Sequence, residues 1–215
     1  MEGTMVIRQS AKQRAAQVAA MRAAQERAAK RRERGIIAAV TGLGLLLVGG
    51  AGWVIAREAQ SQSQLEAAAG APIEGVREYE GLSQDHVSGT VSYEQDPPVG
   101  GDHAGTWTNC GVYQSPLPAE ETVHALEHGA VWISYRPDLP EEQLLALQDT
   151  VSDQPYTLMS PDPDLSDPVV LSAWGVQLAV AEATDERVEL FVQKYQQGEQ
   201  TPEPGAPCTG GVTPA

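Results

Sequence analysis

The first sustained apolar stretch of the chain is Ile36–Ala56, IIAAVTGLGLLLVGGAGWVIA, 21 residues without a charge. As a helix that length covers a hydrocarbon core of about 30 Å, so residues 35–56 are predicted as a transmembrane helix. Residues 57–80 are rich in Gln, Ala, Ser and Glu, lack large apolar periodicity until Ile73, and read as a stalk. From residue 81 to about 200 the pattern is that of one globular domain, and roughly 120 residues can bury a single core. Residues 201–215 form a Pro- and Gly-rich tail.

Within the domain, prolines and glycines punctuate 81–118 too often for long elements. Pro118, Glu120 and Glu121 mark a helix start, Thr122 to His128 continue it, and Gly129 ends it. Ala130 to Tyr135 (AVWISY) is rich in strand formers. Pro140 opens a second helix with Leu144, Leu145, Leu147 and Val151 on its apolar side. Tyr156 to Met159 is a short strand, and Pro161, Pro163 and Pro168 mark turns. Val169 to Trp174 and Val176 to Val180 are two strands broken at Gly175. Thr184 caps a last helix carrying Val188, Phe191, Val192 and Tyr195 at helical spacing. Helix, strand, helix, three strands, helix implies an α+β domain, its helices packed on one small sheet of mixed direction.

Charge orients this plan. Residues 1–34 carry nine Lys and Arg against three Glu, whereas the remainder has five basic residues against 26 acidic ones. Basic residues are retained on the cytoplasmic side, so the N-terminal arm is predicted inside and the domain outside, on a single-pass anchor in the cell membrane. A cleaved signal peptide is the alternative, but the basic segment and apolar run are both long for one, and no small-x-small site follows. No Cys stands directly after the run, which excludes a lipoprotein anchor. The inner arm, Ala11 to Arg34, suits anionic headgroups. The acidic outer domain disfavours nucleic acid and attracts cations.

Cys110 and Cys208 both lie outside, where an even pair points to a disulfide. The rival assignment makes Cys110 a thiolate ligand beside the histidines.

All four histidines, His86, His103, His124 and His128, fall within 43 residues. Imidazole is the commonest metal ligand. His124 and His128 are four apart, on one helix face, and His103 follows the Gly100-Gly101 pair, which permits close backbone approach. His103, His124 and His128 are therefore expected as direct metal ligands, with His86 a fourth ligand or an outer partner. Met159 could add a thioether, which favours copper over zinc. His124-Ala-Leu-Glu127-His128 also matches the H-x-x-E-H pattern of inverted zinc peptidases, in which Glu127 would be the general base. Glu182, Glu186 or Glu189 would then be the third ligand. No residue is otherwise assigned a catalytic role. A purely structural role is open as well, since a His at a helix C-terminus favours the dipole. The surface around Trp107 and Tyr113 would then mediate interactions.

The string Tyr93 to Tyr113, YEQDPPVGGDHAGTWTNCGVY, with Val123 to Tyr135, VHALEHGAVWISY, resembles an actinobacterial membrane-anchored family designated domain of unknown function 3105. The tail Thr201 to Gly211 fits the same pattern, so the likeness covers residues 82 to about 212. The chain departs from it at Ser160-Pro-Asp162-Pro163, where family members read Ser-Pro-Tyr-Pro. The resemblance implies one N-terminal anchor and one extracytoplasmic domain, with His86, His103, Cys110, His124, His128 and Cys208 at motif positions. It implies no reaction. The combined expectation is a membrane-anchored metal-binding protein, copper before zinc, acting in binding, delivery or assembly with envelope partners.

Overall fold

The computed structural model describes residues 21, 22, 25, 27, 30–32, 53–60, 70–152 and 154–214. They fall into two units, Met1–Ser61 and Gln62–Ala215. In the first, residues 53–60 are helical and the Arg57 guanidinium lies 5.5 Å from the centre of the Trp53 ring. Among the described residues no helix is long and apolar enough to cross a membrane. The predicted span 35–56 lies outside the described residues apart from 53–56.

The second unit is an α+β domain on a six-stranded mixed sheet. Its strands are β1 (Arg77–Glu78), β2 (Gly111–Val112), β3 (Val131–Tyr135), β4 (Thr157–Pro161), β5 (Val169–Ala173) and β6 (Val176–Val180), in the order β1-β6-β5-β3-β4-β2. The pairs β3/β4 and β2/β4 are parallel; β3/β5, β5/β6 and β1/β6 are antiparallel. Three helices, α1 (Ala119–Glu127), α2 (Glu141–Ser152) and α3 (Glu186–Tyr195), complete the expected element order. The two-residue strands β1 and β2 are additions to it. The sheet reaches into the predicted stalk: Ile73 is buried and Arg77 pairs with Gln177.

Strand alternation divides the core between the two faces of the sheet. Val131, Ile133, Met159, Leu171 and Leu178 join Leu147 and Val151 of α2 and Val188, Phe191 and Val192 of α3. Trp132 and Leu158 point the other way, joining Val123, Ala125 and Leu126 of α1 with Tyr113, Trp174 and Cys208. Helices thus cover both faces, with α1 the one helix on the second among the described residues. Loops 82–110 and the C-terminal tail pack around α1 there, and that side carries the histidines. The tail is held by the Cys110–Cys208 disulfide and by a bridge between Thr108 and Val212.

Candidate metal centre

Helix α1 begins after Pro118, whose ring suits a helix entry, with Glu120 and Glu121 complementing the dipole in its first turn. It stops at Gly129, where φ is +91°. The amides of Gly129 and Ala130 bond back to the carbonyls of Leu126 and Ala125, closing the last turn as a glycine C-cap does. Residues 122–127 of this helix are all buried. Three residues apart, His124 and Glu127 project from one face.

Two loop segments bring the other imidazoles to that face. Val87 N donates to His103 O (2.8 Å) and His103 N to Asp85 O (3.1 Å), a bridge that sets His86 beside His103. Ala104 N donates to Glu120 O and Thr108 N to Glu121 O, so this loop follows the helix. The approach is tight at Gly100, where φ is +148°. A Cβ there would sit 2.8 Å from Leu82 and 3.2 Å from Trp174. Gly100 thus has the role of close approach expected from sequence, whereas a Cβ at Gly101 would meet only Tyr93, at 3.8 Å.

His86, His103, His124 and Glu127 each place a possible ligand atom within 4.8 Å of all the others. Glu127 Oε2 lies 3.0 Å from His103 Nε2 and 3.6 Å from His86 Nε2. Tetrahedral zinc, with bonds of about 2.0–2.1 Å, spaces its donors by roughly 3.3 Å, so side-chain shifts of about an ångström would close these four onto one ion.

The tautomers sharpen the chemistry. His103 Nδ1–H donates to Gly101 O (2.7 Å) and His124 Nδ1–H donates to Ala104 O (2.7 Å). A carbonyl oxygen can only accept, so each neutral ring keeps its lone pair on Nε2. Backbone anchoring of one nitrogen to orient the other is how metal-binding histidines are held. At His103 that lone pair faces a carboxylate oxygen at hydrogen-bond distance, inside the protein. Two acceptors cannot satisfy each other; a proton or a cation must lie between them.

His128 takes a different position from the one its spacing suggests. Its ring touches that of His124 (centroids 4.6 Å), yet its Nδ1 donates to Pro207 O (2.8 Å) and its Nε2 faces Glu203 Oε2 at 3.6 Å. Residue 128 is already the C-cap, and the tail captures its ring. Glu127 stands in the cluster where His128 was expected, although the H-x-x-E-H pattern needs His124 and His128 on one metal. Its signal in the sequence is the scarcity of cations: the outer segment has five Lys and Arg, so an acid between two histidines has few other partners.

Met159 is fully buried in the core on the opposite face of the sheet, packed among β3, β5 and the α2/α3 side, which removes the thioether argument for copper. Cys110 and Cys208 are joined, with Cα atoms 5.4 Å apart, which closes the thiolate alternative. Tyr113 is buried with its hydroxyl donating to Asn109 O, and Trp107 is half-buried against His124 and His128. Neither offers the exposed aromatic surface anticipated for an interaction module. Glu182, Glu186 and Glu189 are not in the cluster.

Burial lowers the His124 pKa to about 4; the Ala104 carbonyl opposes this, and His128, His103 and His86 lower it further. The ring is therefore neutral at neutral pH. Between about pH 6.5, the ordinary value, and about 4, the unfolded chain binds a proton that the folded chain refuses. This contribution makes metal-free stability fall as pH is lowered through that window and level off below it. Urea midpoints in chelator at pH 7, 5.5 and 4.5 should decline in that order, and His124→Gln should flatten the decline.

No curated protein and no solved structure matches the chain. A family model described as protein of unknown function (DUF3105) matches residues 86–210, the segment that begins at His86 and takes in every residue of the cluster and both cysteines. That match covers more than half of the chain, and the protein belongs to the DUF3105 family.

Proposed function

We propose that this domain binds one divalent transition-metal ion, zinc foremost, through His86, His103, His124 and Glu127. The observation that carries this reading is the pair of anchored imidazoles: His103 and His124 commit their Nδ1 protons to backbone carbonyls and aim Nε2 inward beside a buried carboxylate. Three nitrogens and one carboxylate oxygen, without a sulfur donor, suit zinc better than a soft copper site. The domain is proposed to stand outside the membrane on the anchor predicted at 35–56, where its acidic surface would concentrate cations. Its role would be binding, delivery or assembly with envelope partners rather than turnover. Glu127, the base that a zinc peptidase would require, is engaged with His103 and His86 instead.

Elemental analysis of the purified full chain after zinc loading and desalting should find one zinc per chain. Zinc at a thousand times its dissociation constant should stabilise the domain by about 4 kcal/mol. His103→Gln, near in size but with its ring donor gone, should abolish both effects while the far-ultraviolet spectrum stays unchanged. Wild-type chain that retains no stoichiometric zinc, and whose melting is indifferent to the ion, would sink the proposal.

A further inference from the structure

The four members of the cluster are not held alike. His103 is fully buried, and His124 and Glu127 are nearly so, whereas the His86 side chain is 50 % exposed. His103 and His124 each have a carbonyl fixing the far side of the ring. Among the described residues the ring of His86 has no such anchor, and its Nε2 faces Glu127 Oε2 at 3.6 Å. It rides on a loop tied to His103 by two backbone hydrogen bonds. One face of the cluster therefore ends in a single, unanchored imidazole that meets solvent.

Resting on the metal reading above, we infer that His86 is the exchangeable ligand. His103, His124 and Glu127 form the retained set, and the position of His86 is where an external nitrogen donor enters the coordination sphere. A buried, fully anchored four-ligand site releases its ion slowly, because no donor can leave without opening the fold. With His86 at the surface, an incoming imidazole can take its place while the other three bonds persist. The coordination number is conserved: one metal–nitrogen bond forms as the His86 bond breaks, with no change in oxidation state. That is the chemistry of handing a metal to, or accepting it from, a histidine on another molecule.

Cobalt(II) as a visible probe and free imidazole as the external donor test this on the full chain. His86→Ala, a surface change, should still bind one cobalt, roughly tenfold to hundredfold more weakly than wild type. Millimolar imidazole should shift its visible spectrum and recover much of the affinity. Wild type should respond little to imidazole at equilibrium but lose cobalt to a chelator faster when imidazole is present. His103→Gln should fail to bind stoichiometrically and should not be rescued. His86→Ala that binds as tightly as wild type and ignores imidazole would overturn the inference. So would His86→Ala that loses cobalt as completely as His103→Gln and is not rescued, with His86→Gln repeating the result. A wild-type chain that binds neither cobalt nor zinc would remove the metal reading itself, and this inference with it.

Discussion

Glu127→Gln should weaken zinc binding by about a hundredfold or more and, in the metal-free chain, raise stability by about 1 kcal/mol. The two signs come from one geometry. Glu127 Oε2 lies 3.0 Å from a His103 Nε2 whose lone pair is fixed by the Nδ1 bond to Gly101. A metal ion satisfies both groups at once. Without it, and with no proton taken up between them, carboxylate and lone pair are two buried acceptors, and burial of unpaired acceptors is costly. A glutamine amide has the same shape, donates an N–H to Nε2, and brings no charge into the buried site. Zinc then loses its anionic ligand, and the apo protein loses an unsatisfied pair. Competition titration against a chromophoric chelator and urea unfolding in chelator measure the two terms separately.

The alternatives predict other results. If Glu127 served only to pair with a protonated His103, glutamine would remove an ion pair and destabilise the metal-free chain. If it were the base of a peptidase, glutamine would leave zinc affinity intact and abolish an activity. Loss of affinity marks the carboxylate as a ligand, and gain of apo stability marks it as unpaired with His103 when the metal is gone.

The sequence shows the elements better than their alliances. Apolar spacing along Thr122 to His128, Ala130 to Tyr135 and Val169 to Val180 is strong because both faces of the sheet are covered and strands and helices must bury their sides. Arg77–Glu78 and Gly111–Val112 carry no such pattern; they are short edge strands, recruited by the neighbours β6 and β4. The gathering of histidines into one region is legible by position alone. Which of Glu127 and His128 joins them is not, since residues three and four beyond His124 lie on the same helix face. In the structure the His128 ring is engaged by Pro207 and Glu203, far along the chain, which no local pattern announces. The face of Met159 follows from alternation: it pairs in register with Ile133, on the side opposite Trp132. The single-residue parity of a strand between proline-marked turns is hard to fix from sequence, and one step of register moves a side chain through the sheet.

Cys208→Ser should lower stability by about 4 kcal/mol, and the melting temperature by roughly 10 to 15 °C, yet change zinc affinity less than tenfold. The bond to Cys110 closes a loop 98 residues long, and in the chain-entropy model loops of that size restrict the unfolded chain strongly. Its partners in the folded state are peripheral to the ligands. The tail lends Cys208 O to Cys110 N, Ala206 O to the Tyr156 hydroxyl and Pro207 O to His128, and Glu203 N donates to Glu127 O. None of these holds a ligand atom of the cluster: His103 and His124 are oriented by Gly101 and Ala104, and the Glu127 carboxylate by its place on α1. Stability and metal affinity should therefore separate, with thermal melting carrying most of the loss and titration well below the melting temperature carrying little. If instead Cys208→Ser abolished zinc binding in a chain still folded at the titration temperature, the tail would be part of the site. His128 and Glu203 would then have to be counted among the groups that set its geometry.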